Sequence, residues 1–126
     1  DTGAILDNPS IRTLTSLKSV MFDNKFTTVA GRPLLNLSLA VNYAIGGRHP
    51  VGYHLFNYLV HAAGAYVLFS LLRRLLKMFD QTSDFSEMLA LVISLLWCVH
   101  PLTVNGVSYI VQRGESMASF CYLAVL

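Results

Sequence analysis

Residues 51–72 form an uninterrupted run of 22 residues without a formal charge. At 1.5 Å rise per residue a helix of that length covers about 33 Å, enough to cross a hydrocarbon core roughly 30 Å thick. Arg73, Arg74 and Lys77 follow at once, which by the positive-inside rule puts that end toward the cytoplasm. The run also contains His54, Asn57 and His61. Polar side chains of this kind are costly in lipid unless they face protein or a water-filled site. The expected fold is therefore an all-α, polytopic transmembrane helical bundle, of which this chain is a fragment.

Composition agrees. Charged residues make up 13% of the chain, about half the usual share, and the mean hydropathy is +0.53. A formal net charge of +2 is too small to argue for nucleic acid as a partner. Cys98 and Cys121 lie in apolar runs and read as small buried hydrophobes, not as a disulfide or a metal pair. No CxxC, HExxH, glycine-rich phosphate loop or GxSxG is present, so no metal ligand is expected.

Along the chain, residues 1–50 read as an outer loop that carries an amphipathic helix over 32–45. Pro33 fits its first turn, where a missing N–H costs little. At 100° per residue Pro33, Leu34, Leu37, Ala40, Val41, Ala44 and Ile45 share one face. Arg32, Asn36, Ser38, Asn42 and Tyr43 take the rest, with Leu35 and Leu39 as exceptions on the polar side. Such a helix suits the membrane interface, apolar face buried. Gly46-Gly47 ends it and His49-Pro50 resets the direction. Transmembrane helices are expected at 51–76 and 86–100, a short outer helix at 102–112, and the start of a further transmembrane helix at 115–126. Residue 126 falls inside that apolar run, which suggests an internal piece of a longer protein. This order puts residues 1–50 and 100–115 on the non-cytoplasmic side.

Several polar groups invite a functional reading. His54, Asn57, His61 and Gly64 recur at i, i+3, i+7 and i+10 and line one face of the first span. They either line a site or form a helix–helix seam with a small residue for close approach. Two histidines seven residues apart lie about 10 Å apart along the axis, too far to share one ion easily. Arg32 and Arg113 suit phosphate recognition, because a guanidinium matches that geometry; snorkelling toward headgroups is the alternative for Arg32. His100, before Pro101, marks either the mouth of a cavity or a helix stop. Asn36-Leu37-Ser38 matches a glycosylation sequon but falls within the membrane-apposed helix, so we discount it.

Three segments together resemble a known family: DTGAILDNPSI, GRPLLNLSLAVNYAIGGRHPVGYHLFNYLVHA and HPLTVNGVSYIVQRGESMASFCYLAVL. They are similar to the acidic start, the Arg-Pro-Leu, Gly-Tyr-His and Asn-x-x-x-His elements, and the His-Pro and Tyr-Ile-x-x-Arg elements of the transmembrane and tetratricopeptide-repeat O-mannosyltransferase-like proteins. That family belongs to the GT-C glycosyltransferase superfamily. The resemblance implies an integral membrane enzyme that moves a sugar from a polyprenyl-phosphate carrier to a protein or glycan acceptor outside the cytoplasm. The implied setting is a bacterial inner membrane or the endoplasmic reticulum. Membrane lipid, the lipid-linked donor and the acceptor are the implied partners; a divalent metal is compatible with the resemblance, but no residue pattern here supports one. Asp1 matches the second member of the family's acidic pair, as base or acceptor-positioning group. Arg32 and Arg113 match positions suited to the donor phosphate, and His54, Asn57, His61 and His100 would line or pack the site. Two positions depart from the pattern: Asn105 stands where many members have Glu or Gln, and Glu115 where many have a small or apolar residue. The alternative is a non-catalytic membrane anchor or assembly module for a tetratricopeptide-repeat protein.

Overall fold

Helix α2 (Pro50–Phe79) is the axis on which the rest is hung. It comes from a computed structural model that describes Ile11, Arg12 and residues 31–79 and 84–126. The other helices are α1 (Pro33–Gly46), α3 (Asp84–Val99), α4 (Pro101–Ser108) and α5 (Arg113–Val125), and all four pack on α2. Helix is the only regular structure among the described residues. α2 spans 30 residues and is long and apolar enough to cross a membrane. α3 and α4 pass that test only as a pair, bent by 54° at their junction. The bend has a local cause. Pro101 has no N–H to continue α3, and it sits instead in the first turn of α4, where none is needed. His100 caps the new helix, its Nδ1 accepting from the Leu102 N–H at 3.3 Å. α4 ends at Ser108, four residues before the expected 112.

α2 and α3 run antiparallel, as the contacts at their two ends show. At one end Arg73 Nε and Nη2 donate to Glu87 Oε1 at 2.8 and 2.6 Å, and Lys77 Nζ lies 2.6 Å from the same oxygen. These side chains are exposed, so they mark register more than they add stability. At the other end His61 Nε2 lies 2.9 Å from the Cys98 carbonyl. The carbonyl can only accept, so Nε2 carries the proton in this contact. The His61 ring stacks on Trp97 with centroids 5.1 Å apart. A Cβ on Gly64 would stand 3.5 Å from Trp97 Cη2, an ordinary contact with no room beyond it. Gly64→Ala is expected to be near neutral in a thermal-unfolding measurement. Gly64→Leu would drive into the indole and destabilise by about 1–3 kcal/mol, the usual cost of overpacking.

α1 turns most of its apolar face away from the bundle, the orientation of a helix lying in a membrane interface. Leu35 and Leu39, the two exceptions to the pattern, are buried together with Asn36, Ser38 and Ala40. Leu34, Val41 and Ile45 face outward, Ile45 with 82% of its surface exposed and Leu39 with none. The physical reason lies in the interior: the face toward α2 meets a cation and several carbonyls, so the polar residues of α1 are wanted inside. The apolar residues are left for the surroundings, as suits a helix bordered by hydrocarbon. Asn36 is fully buried, which also removes the sequon from any glycosylating enzyme. Ile11, Leu35, Leu39, Ala40, Tyr53 and Ile110 form the apolar core beneath this helix. The turn into α2 uses Gly47 at φ +60°, a left-handed position that glycine adopts without strain. It is tied down by Tyr53 Oη donating to the Gly47 carbonyl at 2.8 Å and Asn42 Nδ2 donating to the Gly52 carbonyl at 3.1 Å.

Candidate functional site

The bundle closes around Arg113, the first residue of α5. Its side chain is fully buried. Nε donates to Asn57 Oδ1 at 2.7 Å, and Nη1 to Asn42 Oδ1 at 2.7 Å and Ser38 Oγ at 3.2 Å. Nη2 donates to the Tyr53 carbonyl at 3.0 Å. The guanidinium carbon lies 4.5 Å from the Phe56 ring centroid and 5.8 Å from that of Tyr53. Each acceptor is held in turn: Ser38 Oγ donates to the Leu35 carbonyl, and Asn57 Nδ2 reaches the Val107 and Tyr109 carbonyls at 3.2 and 3.3 Å. One cation thus joins α1, α2 and the segment entering α5.

Every acceptor in this cluster is neutral. Glu115, two residues away, makes no ion pair with Arg113; among the described residues the ion pairs are those of Glu87 with Arg73 and Lys77. Taking a guanidinium out of water costs several kcal/mol. Four charge-assisted hydrogen bonds and an aromatic face offset that cost. A guanidinium keeps its proton in proteins, so Arg113 is a cation at neutral pH. With four of its five N–H groups engaged and no exposed surface, Arg113 presents no face to a phosphate in this arrangement. The structure thus gives it the position of an internal clamp, in place of the ligand contact expected from the sequence.

Arg32 has the opposite surroundings. It precedes α1, its side chain is exposed, and it makes no cap bond. A groove of about 440 Å³ opens beside it between α1 and α5, walled by Pro33, Leu34, Leu35, Met117, Ala118 and Cys121. Gly114 and Glu115 complete the rim. Arg32 Nη1 would lie 3.7 Å from a Cβ on Gly114, so its guanidinium rests against the start of α5. A cation beside the positive end of a helix favours an anion; Glu115 in the same turn works against one and sits on the rim.

A second cavity, of about 410 Å³, lies where α3, α4 and α5 meet. It is polar: Thr103, Asn105, Gln112, Glu115, Ser116 and Ser119 border it, with His61 and Trp97 on its α2–α3 side. Glu115 is common to the two cavities.

The remaining sequence candidates divide cleanly. Asn57 holds Arg113, and His61 and Gly64 form the seam with α3. The buried stripe of α2 is Tyr53, Asn57, His61 and Gly64, so Tyr53 takes the place expected for His54. His54 is half-buried at a shallow apolar patch with Val51, Leu55 and Tyr58, away from Arg113. His100 is a helix cap. Asp1 lies outside the described residues, as does Asp7. Among the described residues no group of three His, Cys, Asp or Glu side chains converges as a metal site would require. Sequence reasoning missed Ser38 and Asn42 as partners of Arg113, although their i, i+4 spacing on one helix face was the available signal. It also missed the polar cavity, whose residues come from four helices.

The chain is 36% identical over 92 residues to Protein O-mannosyl-transferase Tmtc1 of Drosophila melanogaster, a match covering 73% of this chain and 10% of that protein. It is 31% identical over 133 residues to Protein O-mannosyl-transferase TMTC3 of Homo sapiens, covering 98% of this chain and 13% of that one. Protein O-mannosyl-transferase TMTC2 of Homo sapiens is 37% identical over 95 residues, covering 75% and 10%. No family model and no solved structure matches the chain.

Proposed function

For a chain that belongs to the TMTC protein O-mannosyl-transferase family and spans 10% to 16% of the lengths of relatives it matches, we propose a role as the donor-holding part of a membrane glycosyltransferase. The whole protein would transfer a sugar, mannose by the relatives' names, from a polyprenyl-phosphate carrier to a protein or glycan acceptor outside the cytoplasm. The observation that carries this reading is the groove between α1 and α5. An apolar trough with an exposed arginine at its rim, unpaired among the described residues, matches a ligand with a hydrocarbon tail and an anionic head. Arg113 supports it from inside, by fixing α1 against α5 so that the two walls keep their spacing. A departing lipid phosphate gains charge, and a guanidinium at that position stabilises it.

Sidedness follows from charge. Arg73, Arg74 and Lys77 lie near one end of α2 and favour the cytoplasm. Tyr53 and Asn57, which hold Arg113, lie about 24–36 Å away along the helix axis, near the opposite surface. There the groove meets the level of a lipid headgroup. The setting proposed is a bacterial inner membrane or the endoplasmic reticulum.

Arg32→Ala in the full-length protein is expected to raise the KM for the lipid-linked donor about tenfold or more, the size of one lost charge-assisted hydrogen bond. Thermal stability should not move, because the side chain supports nothing inside. An unchanged donor KM would refute the role of Arg32. The second reading is a non-catalytic anchor for a tetratricopeptide-repeat protein, and it draws on the use of Asn57, His61 and Gly64 for packing. It requires that the full-length protein bind no polyprenyl phosphate at all.

A further inference from the structure

We propose that the polar cavity between α3, α4 and α5 receives the sugar of the lipid-linked donor. This rests on the donor reading of the adjoining groove and adds to it a site for the group transferred. Three observations converge on it.

Most inner polar side chains of the bundle have a hydrogen-bond partner within the protein. Ser38, Asn42, Asn57, His61, Ser94 and Arg113 all bond to neighbouring helices or to their own. Around the cavity the reverse holds. Asn105, Gln112, Glu115, Ser116 and Ser119 border it and, among the described residues, their side chains take no part in the hydrogen bonds and ion pairs that hold the helices. They stand together on a surface that is elsewhere dominated by Leu55, Leu59, Tyr66, Leu91 and Leu95. A concave polar patch set into an apolar exterior is the arrangement of a binding site.

The chemistry suits a polyol. Each sugar hydroxyl both donates and accepts. The Glu115 carboxylate offers acceptors only, the Asn105 and Gln112 amides offer both roles, and the Ser116 and Ser119 hydroxyls adapt to either. Trp97, a large amphipathic ring, borders the same space. A volume of about 410 Å³ lies within the range of small-molecule pockets, roughly 300–1,000 Å³. The absence of a cation from its border argues against an anion as occupant.

The third observation is continuity. Glu115 belongs to both cavities, so the apolar groove and the polar cavity adjoin across the first turn of α5. A polyprenyl-phosphate sugar has its apolar and polyhydroxyl parts on either side of one phosphate. Laid across this turn, its tail follows α1 and α5, its phosphate comes to Arg32 and its sugar enters the cavity. Glu115 then stands beside the sugar as an acceptor.

The test compares two probes on the full-length protein in nanodiscs: polyprenyl-phosphate mannose, and the same polyprenyl phosphate without sugar. Asn105→Leu combined with Ser116→Ala removes donors and acceptors, and Ser119→Phe fills the space by a different route. Both variants are expected to weaken binding of the mannosylated probe about tenfold and to leave the sugar-free probe unchanged. Arg32→Ala is expected to weaken both probes. If neither cavity variant separates the probes while the wild type binds the sugar-free carrier, the sugar subsite is overturned and the donor groove stands. If the wild type binds neither probe, the donor reading falls and the subsite with it. Ser119 points to no internal partner, so Ser119→Phe keeps the test decisive even if the double variant is poorly folded.

Discussion

Arg113→Met in the full-length protein is expected to lower folding stability by about 2–4 kcal/mol, the cost of stranding several neutral buried acceptors. The argument starts from what remains. Asn57 Oδ1, Asn42 Oδ1, Ser38 Oγ and the Tyr53 carbonyl all accept from this one side chain. A thioether can satisfy none of them. Each buried acceptor left alone costs about 1–3 kcal/mol in a soluble protein, and less where other partners can be found within a membrane, so the total lies well below the simple sum. Arg113→Lys should recover part of the loss. An ammonium keeps the charge and three donors, but it lacks the planar fork that reaches acceptors on two helices together.

The same substitution separates two jobs for this residue. A clamp predicts a lower midpoint of thermal unfolding for Arg113→Met with or without donor present. A phosphate contact predicts a normal midpoint and a raised donor KM. A second change sharpens the comparison: Asn57→Leu added to Arg113→Met removes one stranded acceptor along with the donor. Replacing both members by apolar groups costs less than removing one, so the double variant should be more stable than the sum of the single losses. Strict additivity would show that the two side chains do not act on each other.

How much of this arrangement was legible in the sequence depends on the residue. The helices around residues 33–46 and 50–79 were readable because proline starts, glycine stops and charge-free length are local signals. The α2–α3 seam was half readable. Asn57, His61 and Gly64 share a helix face whatever they touch, but whether that face meets a ligand or a neighbour depends on Trp97, more than thirty residues on. The orientation of α1 was legible only in part. Helical periodicity finds the apolar face of Leu34, Val41 and Ile45, and a place in the membrane interface turns that face outward, but it does not say what the polar face meets. Here the exterior is apolar and the interior holds Arg113, so Asn36, Ser38 and Asn42 go in. The surroundings of Arg113 were hidden for a related reason. A lone arginine amid apolar residues has no local partner, and its partners lie 56 to 75 residues away. Only the fold puts the amides of two other helices around it.

The largest effect on activity is expected from Asp1→Asn, although that residue lies outside the described part of the structure. An acceptor hydroxyl is a weak nucleophile until its proton leaves. A positioned carboxylate that takes that proton contributes about 10²–10⁴-fold to the rate. Asparagine keeps the size and loses the base, so kcat for sugar transfer should fall within that range. Binding of polyprenyl phosphate should stay the same, because the proposed recognition of that carrier runs through Arg32 and apolar walls on α1 and α5. Thermal stability should also stay the same, since the substitution removes a charge without changing the shape of the side chain. This pattern, a fall in kcat with donor affinity and folding intact, differs from Arg32→Ala, which acts on donor KM, and from Arg113→Met, which acts on stability. If sugar transfer by Asp1→Asn matches the wild type, the base lies elsewhere. The donor groove would then still be tested on its own terms, by the carrier-binding measurements.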